Sequence, residues 1–223
     1  ELFYTLEQLR TGHLSADLVD FLQLFRTKLE VLDRPADVVL PHAERGTVVF
    51  DVGTGIAGID FINSLPRQDG LVILSDHDPF IVTLLQVTLR WVGRTDIKVM
   101  QLNATELPVE QLPEGPVRHL VASAVLQHMS AEEQRQFLSR AQRLLGPTGK
   151  LWINASWLGQ NEHGEAQALD GELARAGFKV TKAVTVFDEK GQVGCRRLRA
   201  EPVAPSLGGT VAPFVVATVH EAQ

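Results

Sequence analysis

The chain has 223 residues, 44% of them hydrophobic and 22% charged, with a formal net charge of -6 at pH 7. This composition and length are those of one globular domain with a small addition, and they exclude disordered, coiled-coil and collagen-like chains. The negative charge gives no general attraction for nucleic-acid phosphates, so we expect no nucleic-acid partner. The single cysteine, Cys195, cannot form an internal disulfide. No run of about 18 apolar residues predicts a membrane span, and the start of the chain lacks signal-peptide features, which favours the cytoplasm.

The first 45 residues are predicted to form a helical cap, and the core domain is predicted to extend from residue 46 to residue 223. Apolar residues spaced by three and four indicate an amphipathic helix over residues 14–32, with Ser15 as its N-cap. These apolar residues are Leu18, Phe21, Leu22, Phe25, Leu29 and Leu32. Such a helix either covers a ligand pocket as a lid or packs against the sheet, and the sequence leaves both roles open.

From residue 47 onward, short apolar and β-branched runs alternate with helical segments. The predicted strands are residues 47–52, 71–75, 97–102, 117–123, 150–156, 179–187 and 214–219. This alternation predicts an α/β fold with a doubly wound, mostly parallel seven-stranded sheet of the Rossmann-like type. No helix separates the last two strands, so we expect the last strand to be antiparallel.

Two of the predicted helices begin with clear capping signals. Asp78 and Pro79 start a helix whose predicted buried face comprises Phe80, Leu84, Val87 and Trp91. Ser130 and Glu133 form a capping box before a helix whose predicted buried face comprises Phe137, Leu138, Ala141, Leu144 and Leu145. A third helix over residues 169–176 is expected to stop at Gly177.

A glycine-rich turn after the first strand is the main functional signal. Gly53, Gly55 and Gly58 have the spacing of a nucleotide-binding turn, in which main-chain N–H groups approach a ligand closely. The same spacing also suits a tight turn that binds nothing. Asp51 near the end of the first strand would attract an ammonium group, whereas Asp76 follows the second strand, where an acid accepts ribose hydroxyls. One acid for an amine and one for a ribose favours S-adenosylmethionine over NAD.

Six segments, in this order, resemble class I S-adenosylmethionine-dependent methyltransferases over residues 47–187. They are VFDVGTGIA (49–57), LSD (74–76), LNATELP (102–108), VLQH (125–128), LLGPTGKL (144–151) and AGF (176–178). The resemblance implies that S-adenosylmethionine is the cofactor and that the loop after the fourth strand borders the transferred methyl group. The implied cofactor residues are Asp51, Gly53, Thr54 and Gly55 at the methionine end, Asp76 and His77 at the adenosine, Asn103 and Ala104 beside the adenine, and Ser123 near the methyl group.

Three positions depart from the usual pattern of this family. Ala57 stands where a third glycine is most frequent, Asn103 replaces an aspartate, and Thr148 replaces a glycine of a turn. Asn103 keeps a carbonyl oxygen that can accept a hydrogen bond from the adenine amine, although without charge. We expect these changes to affect the affinity for the cofactor and to leave its site functional.

The methyl acceptor is predicted to be a small molecule. After the fourth strand the chain reads Ser123-Ala124-Val125-Leu126, which lacks the Asn/Asp-Pro-Pro-aromatic run of enzymes that methylate amino groups of DNA and RNA bases. The strand ends offer no carboxylate cluster for Mg²⁺ and the chain no His/Cys cluster for zinc, so we expect no metal. The acceptor atom (O, N, S or C) and the oligomeric state stay open.

Four residues are further candidates for the site, each with a purely structural alternative. His128 is the titratable side chain of the loop that would border the methyl group; it is a candidate general base, or it only precedes the next helix. His77 contacts the adenosine or is an exposed loop residue. Trp157 is a pocket wall or a loop anchor. Arg196 lies in a predicted connection over residues 188–212 and either faces an acidic substrate or belongs to a solvated ribbon.

Three other functions fit the same patterns less well. The cofactor site can serve cyclisation or rearrangement instead of methyl transfer, which the formation of S-adenosylhomocysteine would distinguish. A non-catalytic partner protein with this fold is disfavoured by the intact glycines and by both acids, Asp51 and Asp76. An NAD-dependent oxidoreductase is disfavoured by Asp51, whose charge would repel a pyrophosphate.

Overall fold

The computed structural model describes residues 40–110, 112–155, 169–187 and 193–203. Within these residues, seven strands form one sheet in the order β3-β2-β1-β4-β5-β7-β6. They are β1 (Val48–Val52), β2 (Leu71–Asp76), β3 (Ile97–Gln101), β4 (Val117–Ser123), β5 (Lys150–Ala155), β6 (Phe178–Phe187) and β7 (Val193–Pro202). All neighbouring pairs are parallel except that β7 is antiparallel to β5 and β6. The predicted fold class is therefore confirmed, whereas the cap predicted for residues 1–45 lies almost entirely outside the described residues.

In the described part of the chain, four α-helices connect or flank these strands. They are α1 (Ala57–Ser64), α2 (Pro79–Val92), α3 (Ala131–Leu145) and α4 (Leu169–Arg175), with three-residue 3-10 helices at Ala104–Glu106, Leu126–His128 and Gly146–Thr148. Both predicted caps are confirmed: the Asp78 carboxylate accepts the Phe80 N–H at 2.8 Å, and Ser130 and Glu133 form the capping box. Within the described part of the chain, no helix has the length and apolar character that a bilayer span requires.

The central strands are buried because helices cover both faces of the sheet. All five residues of β1 are buried, as in a strand packed on both sides. Helix α2 packs on β2 and β3, and α3 packs on β4 and β5. The buried face of α3 is the predicted one, with Phe137, Leu138, Ala141, Leu144 and Leu145.

The buried face of α2 differs from the predicted one. Phe80 and Trp91 were expected in the core, but their side chains are 38% and 85% exposed, and Val82 and Leu85 are buried instead. Because α2 is apolar on most sides, the spacing of its apolar residues is compatible with more than one buried face. Gly58 of α1 selects among them: a Cβ on Gly58 would lie 2.7 Å from Leu85 Cδ2, so Leu85 packs into the space that only glycine leaves.

The antiparallel strand of the described sheet lies earlier in the chain than predicted. The sequence placed it at residues 214–219, which lie outside the described residues, whereas β7 occupies residues 193–202 of the predicted connection. The prediction of a loop there was wrong. Leu198 and Ala200 are buried and alternate with the partly exposed Arg199, as in a strand, but the adjacent arginines Arg196 and Arg197 hide this period of two.

Arg94 joins the end of α1 to the turn that enters β3. Its guanidinium is 5% exposed and donates hydrogen bonds to the carbonyls of Ile62, Leu65 and Pro66 and to the carboxylate of Asp96. The last carbonyls of a helix have no partner within the helix, so Arg94 supplies one. Hydrogen bonding to the same guanidinium lowers the pKa of the Asp96 carboxyl to about 2.

Candidate functional site

A cavity of about 400 Å³ lies at the carboxyl ends of β1 to β4. The chain order reverses between β1 and β4, and ligands of open α/β sheets bind at such a switch point. The volume is in the range of small-molecule sites. Six predicted site residues line this cavity: Gly53, Asp76, His77, Asn103, Ala104 and His128.

The glycine-rich turn brings the loops after β1 and β4 into close contact. Gly53 has a φ of +63° and Gly55 a φ of +58°, a region that glycine adopts without strain. A Cβ on Gly53 would lie only 2.6 Å from Val125 Cγ2, so no larger residue fits unless Val125 moves. The Gly55 N–H donates to Asp76 Oδ2 at 2.9 Å, which fixes the turn to the end of β2.

Asp51 lies in β1 directly below this turn, and its side chain is buried. Burial raises the pKa of the Asp51 carboxyl to about 7; the hydrogen bond from the Thr54 side chain opposes this, and the negative charge of Asp76 adds to it. Thr54 is also buried, and its hydroxyl accepts the Ser75 N–H at 3.2 Å. Among the residues that the structure describes, no cationic side chain pairs with Asp51. A cationic ligand group would therefore stabilise its ionised form.

Asp76 is the acid at the end of the second strand, and main-chain N–H groups already hold its carboxylate. Its Oδ1 accepts the Asp78 N–H at 3.0 Å and lies 3.3 Å from His77 Nδ1. Its Oδ2 accepts the Gly55 N–H. Each carboxylate oxygen can accept more than one hydrogen bond, so Asp76 is oriented and still has acceptor capacity toward the cavity. The His77 side chain is 80% exposed at the cavity mouth.

Asn103 lines the cavity, but its carbonyl oxygen is not free as the sequence suggested. Asn103 Oδ1 accepts the Thr105 N–H at 3.1 Å and the Thr105 hydroxyl at 3.0 Å, and so caps the short helix Ala104–Glu106. Both of its lone pairs are thus engaged, and the amide N–H₂ is the end that can serve a ligand. Ala104 is buried beside it.

The loop after β4 forms the opposite wall and carries a strained residue. Ala124 has a φ of +54°, which is uncommon for a residue with a side chain. Its N–H donates to the Asn154 carbonyl of β5 at 2.7 Å, which holds the loop in this conformation. His128 ends the 3-10 helix of this loop, is exposed, and lines the cavity. The structure therefore brings the candidate base to the same cavity as the four residues that were predicted to contact the adenosine, which are Asp76, His77, Asn103 and Ala104.

Among the predicted residues whose side chains the structure describes, Asp51, Thr54, Gly55 and Ser123 do not line the cavity. Ser123 lies at the end of β4, where its hydroxyl accepts the Asn154 Nδ2–H at 3.4 Å. Arg196 belongs to β7 and is paired with Ala155, the last residue of β5, so its main chain lies at the carboxyl edge of the sheet. Trp157 lies outside the described residues. The predictions for Trp157 and Arg196 stay predictions.

Half of the cavity wall was missed by the sequence analysis. These residues are Leu102, Thr105, Ala124, Val125, Met129 and Glu133. All of them except Glu133 lie next to a predicted site residue or within one of the six segments that resemble the methyltransferases. These residues could have been predicted by extending the site to the whole of each segment and its neighbours. Glu133 was recognised only as a capping residue of α3, a role that it does fill.

No family model matches the chain, and no curated protein matches its sequence. Solved structures match its fold. A TehB-like SAM-dependent methyltransferase from Corynebacterium glutamicum aligns with a TM-score of 0.55 and 16% identity, over 82% of this chain and 97% of that protein. Magnesium protoporphyrin IX methyltransferase from Synechocystis aligns with a TM-score of 0.52 and 18% identity, over 83% and 84%. The [4+2]-cyclase SpnF aligns with a TM-score of 0.56 and 16% identity, over 72% and 76%.

The structural alignments establish the fold. At sequence identities this low they do not establish the activity, which has to be argued from the site. The strand order, the antiparallel β7 and these alignments agree with one another. The chain has the fold of the class I S-adenosylmethionine-dependent methyltransferases.

Proposed function

We propose that the chain is an S-adenosylmethionine-dependent methyltransferase that acts on a small molecule. The observation that carries the proposal is the cavity at the switch point, where Gly53, Asp76 and Asn103 come together. The likeness to a methyltransferase of a porphyrin supports the class of substrate.

The residues around the cavity fit this cofactor in charge and in shape. Asp76 has acceptor capacity for ribose hydroxyls, and His77 lies at its side. Gly53 and Gly55 have no side chains that would obstruct the methionine end, and the Thr54 side chain is buried. Ser123 and Ala124 border the region where the methyl group would be presented.

Asp51 is the proposed partner of the cofactor's ammonium group. Its carboxyl is buried and its pKa is raised to about 7, so ionisation is unfavourable until a positive charge comes near. A pyrophosphate would have the opposite effect, which is why Asp51 favours S-adenosylmethionine over a dinucleotide.

Asn103 and Ala104 are the proposed adenine contacts. Because Thr105 engages both lone pairs of Asn103 Oδ1, the amide N–H₂ would donate to a ring nitrogen of the adenine. This replaces the role expected from the sequence, in which the carbonyl oxygen accepts from the adenine amine.

When bound, the cofactor would supply an activated methyl group for in-line displacement by the acceptor, with the sulfur keeping the electron pair of the broken C–S bond. The task of this chain is then to align the acceptor and to exclude water. For a hydroxyl acceptor, we propose that His128 takes the proton that leaves the oxygen. Trp157 and Arg196 are proposed substrate contacts, Arg196 for an acidic group.

Cofactor binding tests the proposal directly. We expect the wild-type chain to bind S-adenosylmethionine and S-adenosylhomocysteine in isothermal titration, and not NAD. Asp76→Ala should weaken binding by roughly 10–100-fold, because hydrogen bonds to a charged group contribute about 1.5–3 kcal/mol. Asp60→Ala, at an exposed acid of α1, is the control and should leave the affinity unchanged. Equal affinity in the Asp76 and Asp60 variants would contradict the assignment.

The role of His128 needs a rate measurement with an acceptor found by screening for S-adenosylhomocysteine formation. If His128 is the base, His128→Ala should lower turnover by about 10²–10⁴-fold with cofactor affinity nearly unchanged. His42→Ala, at an exposed histidine bonded to Asp69, is the control. A His128 variant that turns over normally excludes the base.

The likeness to SpnF favours one second candidate, a cyclase or isomerase that binds the same cofactor. The two candidates differ in their product. A methyltransferase forms one S-adenosylhomocysteine for each product molecule, whereas a cyclase leaves S-adenosylmethionine intact.

A further inference from the structure

A buried glutamine connects α3 to the loop that walls the cavity. Gln134 is 4% exposed, and its Nε2 donates to the Leu126 carbonyl at 2.9 Å and to the Met129 carbonyl at 3.3 Å. These carbonyls belong to the first residue of the 3-10 helix and to the residue just after His128, which ends it. Gln134 itself does not line the cavity, so it can act on a ligand only through this loop.

The position of Gln134 in α3 calls for an apolar residue. The same buried face otherwise carries Phe137, Leu138 and Ala141. A buried amide destabilises a core unless its hydrogen bonds are made, and an apolar side chain of equal size would satisfy the packing. What glutamine adds at this position is therefore the pair of hydrogen bonds to the loop.

The loop needs such support because its first residue is strained. A φ of +54° at Ala124 persists only where the surroundings fix the backbone. The hydrogen bond from Ala124 to the Asn154 carbonyl fixes the start of the loop. Gln134 fixes its end from a helix that its capping box and its core face hold in place.

We propose that Gln134 is a positioning residue of the ligand site, which holds the loop over residues 124–129 in the conformation that walls the cavity. Loss of its hydrogen bonds lets the loop relax from the strained conformation and displaces Val125 and His128 from the cavity wall. This inference rests on the proposed function, because the ligand is taken to be the cofactor.

The test compares two glutamines of the same helix. Gln134→Met keeps an unbranched side chain of similar length without donors, and should raise the Kd for S-adenosylhomocysteine by about 10-fold, as expected for the loss of one to two hydrogen bonds. Gln136→Met is the matched control: Gln136 is exposed and bonds only to Glu132 among the described residues, so its Kd should change less than about twofold. If Gln134→Met does not fold, Gln134→Leu is measured in its place.

Amide hydrogen exchange supplies a readout that a loss of overall stability would not reproduce. The N–H groups of His128 and Met129 donate to the carbonyls of Val125 and Leu126. In Gln134→Met these two amides should exchange faster, while those of β4 keep their wild-type rates. Faster exchange throughout β4 would indicate general destabilisation and would overturn the proposal.

The outcomes separate this inference from the proposed function. Faster loop exchange with unchanged affinity would show that Gln134 only stabilises the loop, and would overturn its role in the site. An equal loss of affinity in Gln136→Met would do the same. If the wild-type chain does not bind S-adenosylhomocysteine, the proposed function fails, and the exchange rates alone decide whether Gln134 fixes the loop.

Discussion

Two buried or nearly buried aspartates lie at opposite ends of the same sheet, and the pKa values of their carboxyl groups are shifted in opposite directions. Asp96 precedes β3 at the amino end, where Arg94 lowers its pKa to about 2. Asp51 lies near the carboxyl end of β1, where burial raises its pKa to about 7. The first charge is neutralised by the protein itself. The charge of Asp51 is not neutralised by any described residue. Ionisation of Asp51 therefore destabilises the folded protein, and a cationic ligand would remove this destabilisation. A buried acid that is paired with a cationic side chain, such as Asp96, has a structural role. A buried acid without such a partner, such as Asp51, indicates a candidate ligand site.

The largest expected effect comes from breaking the ion pair of Arg94 and Asp96. Arg94→Met should lower the free energy of unfolding by about 3–5 kcal/mol, because it removes the buried guanidinium that neutralises Asp96 and that donates to the carbonyls of Ile62 and Leu65. Arg67→Met is the control: Arg67 is 68% exposed and lies 3.5 Å from the same carboxylate. Urea unfolding of both variants measures the difference. A similar decrease in the free energy of unfolding in the two variants would show that the buried hydrogen bonds of Arg94 contribute no more to stability than the exposed ion pair of Arg67.

Asp51, which has no cationic partner among the described residues, should make the free energy of unfolding depend on pH. The pKa of Asp51 is higher in the folded than in the unfolded chain, so the folded state keeps a proton between about pH 4 and pH 7 that the unfolded state has lost. Stability from this group is therefore present at low pH and lost as the pH rises through about 7. Asp51→Asn removes this dependence, and its advantage over the wild type should grow between pH 4 and pH 8 by on the order of 3–4 kcal/mol.

Urea unfolding of wild type and Asp51→Asn at several pH values checks this expectation. Asp60→Asn, at an exposed acid, should run parallel to the wild type at every pH. A constant difference between Asp51→Asn and the wild type would contradict the raised pKa. The same variant should bind S-adenosylmethionine more weakly, which links the stability cost to the proposed ligand.

The smallest expected effect concerns the strain at Ala124. Ala124→Gly should raise the free energy of unfolding by about 0.5–1 kcal/mol, because glycine adopts a φ of +54° without the steric penalty. Ala174→Gly, at an exposed position inside α4, should lower it by a similar amount. Thermal unfolding of the pair shows whether the sign reverses. Destabilisation by both substitutions would exclude strain at Ala124.

Local patterns in the sequence were sufficient for six of the seven strands of the described sheet and for half of the residues that line the cavity. Strands ended where polar or glycine residues follow apolar runs, as at Asp76 and Gly53, so the carboxyl edge and its residues could be predicted together. The capping box at Ser130 needed only four neighbouring residues. Each of these features depends on contacts that are close in the chain.

The features that escaped prediction depend on distant residues. The buried face of α2 is selected by Gly58 of another helix, and the carbonyl partners of Arg94 lie about 30 residues away. The engagement of Asn103 by Thr105 is local, but no pattern distinguishes a capping asparagine from a ligand-binding one. The position of β7 was missed because consecutive arginines hide its alternation.

The pairing of β7 between β5 and β6 also determines when the sheet can form during synthesis. β6 spans ten residues, yet its strand partner is β7, which follows it in the chain. Until β7 has left the ribosome, β5 and β6 each present an unpaired edge. Such edges promote pairing with other chains. Lys179 and Lys182 are exposed on β6 and oppose this, because charged side chains on a strand disfavour pairing with other chains.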